Sequence, residues 1–125
     1  MFGFWGLWGM NSPYLARAVS LARANTISDG LPRMAAVIMD GKREVSWGWN
    51  SRRSHPLQFR FSQRHDKICV HAEISALAAA REPVDGMAMY VARVLKDGSP
   101  ALARPCPACQ SALAAFGIEN VRWTE

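Results

Sequence analysis

The sequence predicts an α/β fold: a single mixed sheet of about four strands, made of a β-hairpin plus a C-terminal βαβ unit, flanked by helices and with no room for a fifth strand. Three observations predict it. Met34 to Met39 and Glu44 to Asn50 are apolar segments separated by the turn pair Asp40-Gly41, the signal of a hairpin. From Met87 to the end the pattern runs strand, helix, strand, and such a unit needs a right-handed crossover that leaves its two strands parallel. In two further segments, apolar residues recur at helical spacing.

Taken in order, Ser12-Pro13 supplies an N-cap followed by proline at the first helical position. Leu15, Ala18, Val19 and Ala22 then mark one helix face through Asn25. Asp29-Gly30 and Pro32 end that helix, and Met34 to Met39 is a continuous apolar run bounded by turn residues, as a buried strand would be. In the returning strand, Val45, Trp47 and Trp49 alternate onto one face as core residues would. Ser51 to Asp66 has no period and reads as a long loop, a length that in compact domains goes with function or mobility. Val70, Ile74, Leu77 and Ala78 restore helical spacing in an alanine-rich segment that runs to Arg81 and stops before Pro83. Asp85-Gly86 leads into a strand from Met87 to Val94, and Lys96 to Pro100 is a polar turn. A helix from Pro107 to Phe116 follows, with Gly117 at C′, and Ile118 to Trp123 is the last strand.

A chain of 125 residues is one domain's worth, and dividing it would starve both halves of core. Residues 1–12 read as an apolar arm and 13–125 as the single domain; the arm either covers the last strand's edge or joins subunits of a homo-oligomer, or else it is a disordered tail or a stretch upstream of a true start at Met10. No stretch of about 18 apolar residues is present, so no membrane partner is expected. MFGFWGLWGM lacks a basic n-region and a cleavage site, which makes cytoplasmic residence the expectation. Three cysteines, two of them in a C-x-x-C, suit metal binding in a reducing compartment better than a disulfide framework. Of the formal charge of +5, +4 lies between Ser51 and Lys67, where Arg52, Arg53, Arg60, Arg64 and Lys67 face Asp66 alone. Such a run is either a solvated face or an anion-binding loop.

The chemistry concentrates in two short stretches, His71-Ala72-Glu73 and Pro105-Cys106-Pro107-Ala108-Cys109. Cys106 and Cys109, three apart at a helix start, put both sulfurs on one face near the positive end of the helix dipole, which favours thiolates. His71 opens its own helix, so two helix N-termini packed together would gather one imidazole and two thiolates around a Zn2+ ion. Three protein ligands leave a fourth position for water, the layout of a catalytic site. Glu73 is then placed to take the water's proton and deliver it to a substrate.

Rival readings exist for each part. A thioredoxin-type redox pair leaves the histidine and glutamate unexplained. A closed structural zinc with Cys69 as fourth ligand makes a non-catalytic module, for which Glu73 has no use. A second metal site from His55, His65 and Cys69 matches no standard zinc spacing.

H-A-E followed by P-C-P-A-C resembles the zinc-dependent cytidine and deoxycytidylate deaminase superfamily, and the likeness in element order covers Met34 to Trp123. Gly48 to Asn50 and the GIENVRW ending look most like deoxycytidylate deaminases, whereas AEISAL and PCPAC are also similar to tRNA adenosine deaminases. Arg104 departs from the glutamate usual before Pro-Cys in the tRNA enzymes. The resemblance implies a cytidine-deaminase-like fold in which His71, Cys106 and Cys109 bind zinc, zinc hydroxide attacks C4 of cytosine, and Glu73 shuttles protons. It also implies that Asn50 and the Ala72 backbone contact the sugar or base. Read without the resemblance, Asn50 is a strand-end turn residue.

The substrate expected on this basis is a free cytosine nucleotide or nucleoside, dCMP or deoxycytidine giving dUMP or deoxyuridine, in pyrimidine nucleotide metabolism. Arg52 and Arg53 are the residues expected to receive a phosphate. A second class of partner is single-stranded DNA or RNA tracking the basic loop, with Phe59 and Phe61 as stacking platforms and one cytosine or adenine entering the pocket.

Overall fold

The computed structural model of the chain describes residues 3–4, 12–27, 30–62 and 69–125. In chain order its elements are β1 (Gly3–Phe4), α1 (Pro13–Ala24), β2 (Arg33–Asp40), β3 (Arg43–Trp49), α2 (Pro56–Phe61), α3 (Ala72–Ala79), β4 (Ala88–Val94), β5 (Pro100–Ala101), α4 (Pro107–Ala115) and β6 (Asn120–Trp123). Among the described residues the strands form one mixed sheet in the order β1-β6-β4-β2-β3, with β5 attached to β4. The β2–β3 hairpin and the β2–β4 pair are antiparallel, and β4 and β6 run parallel, as a βαβ unit requires.

A sheet limited to four strands is corrected here. β1 lies parallel to β6, with Gly3 opposite Asn120 and Phe4 opposite Val121, and occupies the edge that the last strand would otherwise expose. β5 pairs antiparallel with the end of β4. Each added strand has two residues, too few to carry an alternation visible in the sequence. Phe2, Trp5, Leu7 and Trp8 of the arm lie outside the described residues.

Side-chain alternation sorts the central strands between two cores. Ala35, Val37 and Met39 of β2 and Tyr90, Ala92 and Val94 of β4 pack under α1. Ala36 and Ile38, Met89 and Val91, and Val121 and Trp123 pack under α3 and α4 on the opposite face. β2 is thus buried on both faces, which is why it reads as an unbroken apolar run. Ser12 caps α1, its Oγ accepting the N–H groups of Tyr14 and Leu15 at 3.2 and 3.4 Å.

In β3 the tryptophans do not share one core face with Val45. The register shifts between Ile38 and Met39, so Val45 packs on the α3 and α4 side while Trp49 packs under α1. Trp47 is 37% exposed, in edge-on contact with Trp49 at 5.0 Å between ring centroids. The well-buried face of β3 is instead Ser46 and Gly48. Ser46 Oγ donates to the Ala76 carbonyl at 2.8 Å, and a Cβ built on Gly48 would stand 2.5 Å from Ala76 N. The absent side chain at 48 lets α3 lie directly on the sheet, and that seating fixes where α3 begins.

The stretch read as loop contains α2, a six-residue helix capped by His55, whose Nδ1 accepts the Leu57 N–H at 3.0 Å. Arg64, His65, Asp66 and Lys67 lie outside the described residues. At the end of α4, Gly117 takes a φ of 78° at C′, the left-handed value that stops a helix without a Cβ penalty. Among the described residues no helix is long and apolar enough to cross a membrane.

Candidate active site

α3 and α4 deliver their N-termini to the same point. His71 is the N-cap of α3 and Cys106 the N-cap of α4, both extended in backbone and neither spending its side chain on a cap hydrogen bond. Cys109 follows within the first turn of α4 and is fully buried. His71 Nδ1 stands 3.2 Å from Cys109 Sγ and 3.5 Å from Cys106 Sγ, and the three ligand atoms lie within 4.8 Å of one another. Zinc bonds of about 2.0 Å to nitrogen and 2.3 Å to sulfur place such atoms about 3.5 Å apart across a tetrahedral angle, so the residues fit the ion. Cys69 stands outside this group, and with His65 undescribed the His55, His65 and Cys69 set does not come into view.

The electrostatics follow from the packing. Cys106 accepts a hydrogen bond from the Cys109 thiol and lies beside His71, which pulls it down to about 4. Cys109 is pushed up by that same bond and by burial. His71 is raised, first through its bond to Cys106 and next through the charge of that thiolate and of Glu73, against the opposing effect of burial. Glu73 is 3% exposed and is raised by desolvation, which outweighs the backbone hydrogen bond and the His71 charge acting against it.

His71, Glu73 and Cys106 line a cavity of about 300 Å³ together with Met34, Asn50 and Cys69. Among the described residues three bonds hold Asn50 there. Its Oδ1 accepts from Met34 N at 3.1 Å and from Asn25 Nδ2 at 2.8 Å, and its Nδ2 donates to the Pro32 carbonyl at 2.7 Å. Ser51 N–H donates to the Val70 carbonyl at 3.0 Å, and Val70 N–H to that of Arg53 at 2.9 Å, a short bridge that brings the end of β3 beside His71. Ala72 is fully buried at the first position of α3, where a helix N–H has no carbonyl partner within its own helix. Arg52 and Arg53 are exposed and lie outside the cavity lining.

Three residues at the site carried no assignment from sequence. Gln58 of α2, fully buried, accepts the His71 N–H at 2.9 Å. Arg93 and Arg104 line the cavity. A glutamine inside an aperiodic stretch has no local signal. Arg93 has one only once its strand is placed, since it falls at period two with Met89 and Val91.

Two solved structures of the dCMP deaminase from the cyanophage S-TIM5 are similar to the chain. The apo form is 21% identical with a TM-score of 0.62, covering 90% of this chain and 80% of that one. The complex with dCMP and dUMP is 19% identical with a TM-score of 0.65, covering 93% and 82%. The guanine deaminase from Bacillus subtilis is 21% identical with a TM-score of 0.54, covering 90% and 62%. At these identities the likeness is one of fold. Among curated proteins none matches the sequence. The model of the cytidine and deoxycytidylate deaminase zinc-binding region matches residues 10–125, the span that holds His71, Glu73, Cys106 and Cys109, and the chain therefore belongs to that family.

Proposed function

We propose that this chain hydrolyses the exocyclic amine of cytosine in a free nucleotide or nucleoside, turning dCMP or deoxycytidine and water into dUMP or deoxyuridine and ammonia. The observation that carries the reading is the buried Glu73 carboxyl on a cavity also lined by His71 and Cys106, whose ligand atoms converge with that of Cys109 behind them. Family membership and the deaminase fold support it.

Held by His71, Cys106 and Cys109, zinc would supply the Lewis acidity that makes water nucleophilic at neutral pH. Glu73 accepts a proton from that water as its oxygen bonds to C4, passes it to N3 of the ring, and serves again as the amine leaves as ammonia. Burial, by raising its proton affinity, suits the carboxyl to hold that proton between the two transfers. The Ala72 N–H and the Asn50 amide meet the base or sugar.

Ammonia release by the wild type and by Glu73→Ala, with bound zinc measured in both, tests the reading. Turnover of dCMP or deoxycytidine that falls by about 10²–10⁴-fold in the variant while zinc is retained is the expected result. Equal activity in the two proteins would reject it.

A further inference from the structure

We propose that Arg93 and Arg104 form a phosphate-monoester subsite at the mouth of the cavity, so that the substrate of this site is a cytosine nucleotide rather than a nucleoside. The inference rests on the deaminase reading above and adds to it the residues that hold the substrate's charge.

The placement of the two arginines comes from topology. Along β4, Met89 and Val91 face the core under α3 and α4, and period two puts Arg93 on that same face. Across the β2–β4 register Arg93 stands opposite Met34, which also lines the cavity. On its other side Arg93 pairs with Ala101 of β5, and the chain then runs through Leu102 and Ala103 to Arg104, two residues before Cys106. The β4–β5 hairpin therefore returns the chain so that both arginines border one opening, with the metal ligands and Glu73 further in.

Charge supports an anionic ligand there. Arg93 and Arg104 are both exposed, and among the described residues the ion pairs are Arg17–Glu44, Arg43–Asp40 and Arg43–Glu82, so neither is neutralised. Among the described residues Glu73 is the one carboxylate in the lining, and it is buried. The guanidinium fork matches phosphate oxygens bidentately, and a nucleotide whose base is seated over His71 and Glu73 directs its 5′ end to the opening. Arg52 and Arg53, the arginines singled out from sequence, are outside the lining.

The test is the ratio of kcat/KM for dCMP to that for deoxycytidine in the wild type, Arg93→Ala, Arg104→Ala and the pair Arg52→Ala/Arg53→Ala, with a cytosine-bearing oligonucleotide as a further substrate. The wild type should prefer dCMP, and Arg93→Ala and Arg104→Ala should each lower the ratio by about tenfold to a hundredfold, mainly through KM, with partial recovery in the lysine variants. A wild type that prefers deoxycytidine or the oligonucleotide, an unchanged ratio in both single variants, or a loss found in the Arg52/Arg53 pair instead would overturn the subsite. If no cytosine substrate turns over, the deaminase reading fails separately, and calorimetry with dUMP and deoxyuridine decides the subsite. Weaker dUMP binding in Arg93→Ala and Arg104→Ala retains it, and binding equal to wild type removes it.

Discussion

Gln58 Oε1 accepts the backbone N–H of His71 at 2.9 Å from a side chain with no solvent exposure, and Gln58 Nε2 in turn donates to Ser62 Oγ at 3.0 Å. The helix N-cap whose imidazole converges with Cys106 and Cys109 is thereby tied to α2, in the middle of the basic segment. The side chain of His71 makes no cap bond, so the position of its imidazole depends on backbone held from outside α3.

Replacing Gln58 with Leu keeps a side chain of similar length and removes both the acceptor of the His71 N–H and the donor to Ser62, leaving the His71 N–H without its partner. A destabilisation of about 1–3 kcal/mol is expected. Zinc affinity, read by competition with a chromophoric chelator, should fall about tenfold to a hundredfold, as it does when groups supporting a metal ligand are lost. The d–d bands of a cobalt-substituted protein should shift as well. Unchanged zinc affinity and cobalt spectrum alongside lowered stability would mean that Gln58 supports the fold alone.

The convergence of His71, Cys106 and Cys109 was legible because all three sit at two helix starts, where spacing puts the two sulfurs on one face. β2, β4, α1, α3 and α4 were legible through period and turn residues. What escaped depends on contacts distant in sequence. β1 pairs with a strand more than a hundred residues away, α2 is too short to display a period, and Gln58 matters through a backbone atom thirteen residues on. The face of Trp47 was misassigned because a register shift next to Val45 reverses the phase of β3.

Gly48→Ala tests whether the seating of α3 on β3 is as tight as it looks. The new methyl would press on Ala76 N, a backbone atom that moves only with the whole helix. A loss of about 3 kcal/mol is expected, at the upper end for overpacking, with zinc affinity reduced because His71 rides on the displaced helix. Thermal unfolding with and without added zinc measures both effects, and a wild-type midpoint would show that α3 yields at no cost.

Loading the metal-free protein with zinc should release protons in a number set by the pattern at the site. Cys106, held down at about 4, has none to give at pH 7, whereas Cys109, pushed up by its bond to Cys106 and by burial, has one, and the upward shift of His71 adds to the count. About one to two protons per zinc are expected, with affinity rising from acid to neutral pH as those groups lose them. Calorimetry in buffers of different ionisation enthalpy counts them. A release near three would mean that Cys106 is an ordinary thiol before the metal arrives.

Asn25 and Asn50 form the second support of the cavity, and their amides are oriented by partners of fixed polarity. Asn25 Nδ2 donates to Asn50 Oδ1 at 2.8 Å and to the Met34 carbonyl at 3.1 Å, while its Oδ1 accepts the Ile27 N–H at 3.0 Å. Asn50 must present oxygen to Asn25 and to Met34 N and nitrogen to the Pro32 carbonyl. Asn50→Asp keeps the shape but turns an oxygen toward the Pro32 carbonyl, so it should cost more stability than Asn50→Ala, which only vacates the position. If the two amides act as a unit, Asn25→Ala and Asn50→Ala combined should cost less than the sum of the single losses, by about 0.5–3 kcal/mol in a double-mutant cycle. Strict additivity would instead make Asn50 an independent residue, with its scaffold bonds incidental to whatever it contacts in the cavity.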